Sequence, residues 1–127
     1  MFYLTKIENA RMNVPEPEYL DVGSTAIEEG MTLALSAGKL VKEVAAPTFI
    51  SAGNYTAGAM GVPVYRITKD MVFAVPVSAA PTSLKVGDKV TVNSDGVQVT
   101  ATTTNGVATI VSLNGAKAAG DTIIVRF

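Results

Sequence analysis

The sequence predicts an all-β domain, and three features of its 127 residues lead to that prediction. Valine (17 residues) and threonine (14 residues) are β-branched and favour pleated strands over helices. The 11 glycines and 6 prolines are spread along the chain and leave no long window for a helix. Short apolar segments alternate with turn signals about ten residues apart. We therefore expect a small antiparallel β-barrel or sandwich with an extended N-terminal arm.

The N-terminal segment differs from the rest because it has no regular apolar period. Pro15 and Pro17 favour extended backbone at the residues before them. We expect residues 1–18 to form an extended arm and residues 19–127 a single β domain. The arm carries six apolar anchors: Phe2, Tyr3, Leu4, Ile7, Met12 and Val14. Two interpretations stay open, since these anchors either bind a partner or pack on the chain's own domain. The first predicts that the arm is mobile in the free protein and dispensable for folding.

Strand signals follow in order along the domain. Alternating apolar residues on both sides of the turn at 36–39 predict a β-hairpin. Two apolar strands are expected at 62–67 and 71–77, where Pro63 and Pro76 indicate a sheet edge or a strand end. In the last third, turn dipeptides predict three hairpin turns, at Asp95-Gly96, Asn105-Gly106 and Asn114-Gly115.

A loop rich in small residues is expected at 51–61. Tyr55 and Met60 are its only large side chains. Loops at the edge of a rigid scaffold often carry binding residues. We therefore take Tyr55 and Met60 as a candidate subunit-contact loop, with a partner-free surface loop as the alternative.

Charge is unevenly distributed along a chain whose formal net charge is only -1. Between Glu8 and Gly30 there are six acidic residues and one basic residue, whereas the chain after Gly30 has five acidic and eight basic residues. The acidic segment is interpreted as a solvated face, or as an edge that meets a basic partner or the basic half of a second copy.

The composition argues against several function classes. The chain has no Cys and no His, so it contains no thiolate nucleophile, no Ser-His-Asp triad and none of the commonest transition-metal ligands. Asp88, Asp95 and Asp121 occupy turn positions in which Asp commonly has a structural role. The basic residues are scattered, and no apolar run approaches the ~20 residues of a membrane helix. We expect no enzyme activity, cofactor, metal, nucleic acid or membrane partner.

The chain resembles the small head-decoration proteins of tailed bacteriophages. The likeness covers most of residues 18–127 and follows an arm that ends near Pro15 and Pro17. It rests on the hairpin around Gly38, the segment 73–77, and the segment 86–90 with the closely turned strands after it. The resemblance implies a decoration-protein-like β-tulip. The chain departs from some members of the family, which have more proline-rich arms and use tryptophan.

The resemblance also implies a function. Such proteins bind the outside of the expanded head, often as homotrimers, and clamp neighbouring major capsid proteins against the pressure of packaged DNA. The expected location is the outer surface of the virion capsid, after synthesis in the host cytoplasm. The anchors Phe2 to Val14 would contact the capsid, and the Tyr55 and Met60 loop would lie at a subunit contact or on the outer surface.

Two other functions remain open from the residues themselves. One is another virion component, such as a tail, fibre or connector protein, which would share the richness in β-structure. The other is a carbohydrate-binding or adhesion module, because sugar sites present exposed aromatic side chains. The aromatic candidates for such a site are Tyr3, Tyr19, Tyr55 and Tyr65.

Overall fold

The computed structural model describes residues 1–8 and 15–127 and confirms the all-β class. Every regular element in these residues is a strand, and no helix occurs among them. The strands are β1 (Tyr3–Ile7), β2 (Glu18–Leu20), β3 (Thr32–Ser36), β4 (Lys39–Lys42), β5 (Phe49–Ser51), β6 (Val62–Arg66), β7 (Met71–Pro76), β8 (Lys89–Val90), β9 (Ala108–Ser112) and β10 (Thr122–Arg126).

The strands form two antiparallel sheets of five strands each. Sheet A has the order β1-β7-β10-β9-β8, and sheet B has the order β2-β6-β5-β3-β4. Sheet B is continuous in sequence, from residue 18 to residue 66. Along the chain it follows β1 and precedes β7, which both belong to sheet A. The chain therefore begins in one sheet, builds the other, and returns to complete the first.

Sheet A packs around β7, its most apolar strand, which pairs with β1 on one side and β10 on the other. A hairpin after β8 extends the sheet, with an antiparallel bridge between Val92 and Val99. Val99 also forms a parallel bridge to Val77, just after β7, and its N–H donates to the Pro76 carbonyl at 3.0 Å. These residues surround one apolar cluster, whose fully buried members include Phe73, Val75, Val77, Val90, Val99, Ile110, Ile123 and Val125.

Sheet B has its own apolar cluster and contains the predicted hairpin. Leu33, Leu40 and Val64 are fully buried there. The turn between β3 and β4 uses Ala37 (φ 48°) and Gly38 (φ 76°) as its two central residues. Two consecutive positive φ values are typical of the two-residue hairpin turn whose twist matches that of the strands. The sequence prediction of a hairpin at this turn is confirmed.

The N-terminal segment differs from the expected separate arm at residues 2–7. Phe2 is 2% exposed, and β1 pairs with β7 from Tyr3 opposite Ala74 to Ile7 opposite Met71. The physical reason is that β7 has a free edge on this side, and pairing with β1 satisfies its backbone groups while burying an aromatic ring. Leu4 and Ile7 also pack against the sheet A cluster. Met12 and Val14 lie outside the described residues.

Three phenylalanine rings connect the first strand to the last. The Phe2 ring meets Phe73 edge-on with 6.2 Å between centroids, and lies 5.4 Å from Phe127. Phe73 and Phe127 complete the group at 5.8 Å. Such aromatic contacts add to the free energy gained by burying the rings, by about 0.5–1.5 kcal/mol for each pair.

We predict that Phe2→Ala lowers the free energy of unfolding by about 3–5 kcal/mol, because it leaves a cavity where three rings meet. The neighbouring variant Tyr3→Ala is the matched control. Its side chain is 60% exposed, so we expect a change within about 0.5 kcal/mol. Urea unfolding followed by fluorescence or circular dichroism measures both. Equal, small effects would show that residues 1–8 are not part of the folded core in solution.

Candidate binding surface at the joint of the two sheets

The start of the chain meets sheet B at Gly30, and we call this contact of Phe2, Gly30 and Ser51 the joint between the sheets. The N–H of Phe2 donates to the Gly30 carbonyl at 2.9 Å, and the N–H of Gly30 donates to the Ser51 carbonyl at 3.1 Å. Gly30 has a φ of +68°, and a Cβ there would lie 2.5 Å from the Met1 Cβ. A larger residue at this position would therefore push the start of the chain away from sheet B.

A buried serine holds the chain on the other side of Gly30. Ser51 is 3% exposed, and its Oγ donates to the Glu28 carbonyl and accepts from the Met31 N–H at 3.0 Å. The N–H of Glu29 donates to Asn54 Oδ1 at 2.9 Å. The backbone of residues 28–31 is thus fixed, while the Glu29 side chain points into an exposed position.

A cavity of about 260 Å³ opens at this joint. Its floor is formed by buried apolar residues of both sheets, among them Phe2, Phe73 and Ile50. Its remaining lining residues come from the chain start, the loop before β2, the Gly30 turn, the end of β5 and β6: Met1, Tyr3, Leu4, Pro15, Glu29, Gly30, Ser51, Ala52 and Tyr65. The structure thereby brings Tyr3 and Tyr65 together, although they are far apart in the sequence.

An exposed apolar surface adjoins the cavity along the edge of sheet B. Tyr19 lies directly opposite Pro63, and Tyr65 follows two residues later on β6. Opposed residues, and residues two apart, point to the same face of a sheet. Tyr19 is 67% exposed and Met60, in the loop just before β6, is 79% exposed. We call Tyr19, Met60 and Pro63 the edge patch.

Asp21 fixes the loop that carries Met60. Its Oδ1 accepts from the Gly61 N–H at 2.9 Å, and its Oδ2 accepts from Lys39 Nζ at 3.0 Å. The neighbouring N–H of Val22 donates to the Ala59 carbonyl at 2.7 Å. The hydrogen bond from Gly61, and secondarily Lys39, lowers the pKa of Asp21 below its ordinary 3.8.

The strand that carries Tyr19 is also held by an ion pair. Arg66 donates two hydrogen bonds of 2.8 Å to the Glu18 carboxylate, one from Nε and one from a terminal nitrogen. A two-bond pair of this kind restricts both side chains more than a single contact does. The three-residue strand β2 is therefore fixed at both ends, by Glu18 and by Asp21.

The two large side chains of the 51–61 loop have different environments. The Tyr55 hydroxyl donates to the Pro63 carbonyl at 2.8 Å, and the Tyr55 backbone pairs with Ile27. Burial raises the pKa of this hydroxyl. Tyr55 is therefore half-buried and engaged within its own domain, whereas Met60 is available for contact.

Most acidic residues have a local role within the described residues. As the sequence predicts, turn aspartates accept backbone N–H groups: Asp88 from Lys85 at 2.8 Å, and Asp121 from Lys117 and Ala118. No group of three or more acidic side chains placed to hold a metal ion occurs in residues 1–8 and 15–127. Over the same residues, no helix has the length and apolar character to span a bilayer.

Sequence reasoning named Tyr3, Tyr65 and Met60 but did not identify Gly30, Ser51 or Asp21. In the sequence, neither Gly30 with Met31 nor Ser51 indicates that the start of the chain approaches sheet B closely at this point. The chain matches no protein-family model, no curated protein and no solved structure.

We predict that acid loosens the Met60 loop through Asp21. Since the folded pKa of Asp21 is lowered, the unfolded chain binds more protons in the window just below pH 3.8. Stability from this carboxylate is present above that window and is lost as the pH falls through the lowered value. Amide hydrogen exchange at Gly61, together with urea unfolding between about pH 6 and pH 2, measures the effect.

The variant Asp21→Ala removes the oxygen that accepts the Gly61 N–H, so it should reduce the loss of stability on acidification and expose the Gly61 amide at all pH values. Asp70→Ala is the control, because the Asp70 carboxylate has no hydrogen bond or ion pair within the described part of the chain. A Gly61 amide equally protected in wild type and Asp21→Ala would contradict this role of Asp21.

Proposed function

We propose that this chain is a capsid decoration protein of a tailed bacteriophage, a non-enzymatic virion component that links neighbouring major capsid proteins from outside. One observation carries the proposal. Six large hydrophobic residues are exposed in the described part of the chain, and four of them lie on or beside the edge strands β1 and β2: Met1, Tyr3, Tyr19 and Met60. The other two, Leu35 and Val86, stand elsewhere in the fold.

Exposed apolar side chains at sheet edges support binding to another protein. Exposed apolar patches commonly mark such interfaces, and edge strands offer unpaired backbone groups to a partner. An individual contact of this size is weak. A shell with many equivalent positions turns weak contacts into high avidity when copies are linked, which suits a homotrimer.

The proposed fold is a small barrel built on sheet A, with sheet B as a second layer, in the manner of a β-tulip. The two bridges at Val99 support it. They connect the hairpin that follows β8, at one edge of sheet A, to Val77 just after β7. The apolar cluster enclosed by these strands is what a small barrel requires.

The proposal also redefines the arm. Because Phe2 and β1 belong to the folded domain, the capsid contact within residues 1–8 is assigned to the exposed side chains Met1 and Tyr3. The edge patch extends this contact along β2. The Tyr55 side chain is not assigned to it, since its hydroxyl is bonded to Pro63.

The proposal is tested by mass spectrometry of density-purified particles from the lysate that yields this protein. We expect the chain in amounts comparable to the major shell protein. A few copies per particle would replace decoration by a tail, fibre or connector role. Absence from particles would overturn a virion function and make glycans the first ligands to examine.

We predict that the double variant Tyr19→Ala, Met60→Ser binds at least tenfold more weakly to particles stripped of this protein, because two anchors of about 1–2 kcal/mol each are removed. The matched control is Leu35→Ala, Val86→Ser, which removes exposed apolar side chains away from the edge patch. Cosedimentation measures both, and native mass spectrometry reports whether each variant keeps the oligomeric state. Equal binding by the two double variants would remove the edge patch from the interface.

A further inference from the structure

The cavity at the joint has the size of one side chain. Its volume of about 260 Å³ lies just below the range of roughly 300–1,000 Å³ typical of small-molecule pockets. The floor, formed by Phe2, Phe73 and Ile50, is almost completely buried, and Tyr3 and Tyr65 stand at more exposed positions of the lining. A slender apolar stem therefore fits the interior better than a bulky ligand.

The charge that side chains bring to the cavity lining is negative in the described part of the chain. Among the described residues, Glu29 is the only charged side chain in the lining, and it has no ion-pair partner. Glu28 and Asp95 lie close enough to act on the Met1 amine, the single cationic group that the described residues place there. Burial lowers the pKa of that amine below its ordinary 8.0, which reduces its positive charge near neutral pH.

Aromatic side chains beside a free carboxylate favour a cation. A guanidinium or ammonium group is attracted to an aromatic face and forms a charge-assisted hydrogen bond with a carboxylate. The aliphatic stems of Arg and Lys pack on apolar surface while their heads remain at the rim. A sugar would find fewer hydrogen-bond partners, because the Ser51 hydroxyl is already bonded to Glu28 and Met31.

We propose that this cavity receives an arginine or lysine side chain of a partner protein, with the stem on Phe2 and Ile50 and the charged head at Glu29 and Tyr65. The inference deepens the proposed function, which supplies the partner as a shell protein. It also gives a role to Glu29, which makes no structural contact through its carboxylate in the described residues.

The experiment is an NMR titration of the full chain with N-acetyl-L-arginine methylamide. N-acetyl-L-citrulline methylamide has nearly the same shape without the charge and is the matched probe. We expect saturable shifts of the Gly30, Ile50 and Ala52 amides with the arginine probe, at millimolar affinity. Glu29→Gln should weaken binding about threefold to fivefold, as expected for a partly exposed ion pair. Asp70→Asn, an exposed acid outside the cavity lining, should bind as wild type does.

Several results would overturn the inference. They are equal binding of the citrulline probe, unchanged affinity in Glu29→Gln, and absence of shifts up to about 50 mM probe. Shifts of the same amides with methyl β-glucoside in place of the arginine probe would identify a sugar site instead. Because no shell protein is present in the titration, a failed titration with intact particle binding rejects this inference alone. A positive titration with no chain in particles rejects only the decoration function.

Discussion

Insertion of the Phe2 ring between the two sheets is the contact on which the rest of the structure depends. It closes the apolar cluster of sheet A against Phe73 and Phe127, and it brings the chain start within hydrogen-bonding distance of Gly30 in sheet B. The ring also forms part of the cavity floor, which is lined by Tyr3, Tyr65 and Glu29 as well. The partner site that we propose thus lies directly on the most buried part of the joint, so that it shares residues with the folded core.

The described acidic residues differ in their physical roles, and Glu18 forms an ion pair with Arg66. Asp21, Glu43 and Asp121 accept backbone N–H groups, and these hydrogen bonds lower the pKa of each carboxyl. They therefore fix turns as charged groups. Glu28 and Glu29 make no such bonds through their carboxylates in the described residues, and their charge remains available at the joint. Within the acidic segment from Glu8 to Gly30, the carboxylates of Glu18 and Asp21 are thus engaged inside the fold, whereas those of Glu28 and Glu29 are not.

Local patterns in the sequence predicted the β3–β4 hairpin and the strands β6 and β7, whereas β1, β2, β5 and the joint were not predicted. The hairpin at Gly38 follows from turn chemistry between neighbouring residues, and the structure has it. The position of Phe2 depends on a partner strand that begins at Met71, and no short-range pattern records that pairing. For the same reason no sequence signal indicated that Tyr3 and Tyr65 line one cavity, or that Gly30 permits a close approach. Residues that act through distant contacts need the fold before they can be recognised.

In the sequence, sheet B lies between β1 and β7 of sheet A, and this order determines how the chain can fold during synthesis. All pairings of strands β2 to β6 lie within residues 18–66, so sheet B can form before β7 has been made. Strand β1 leaves the ribosome first but must wait for β7, a delay of several seconds at ordinary elongation rates. During that interval Phe2 is exposed on an unpaired strand, where Lys6 is the kind of charge that discourages association with other chains. Sheet A is completed only after β10 has been made, and a chain that ended before β7 would leave the first strand without its partner.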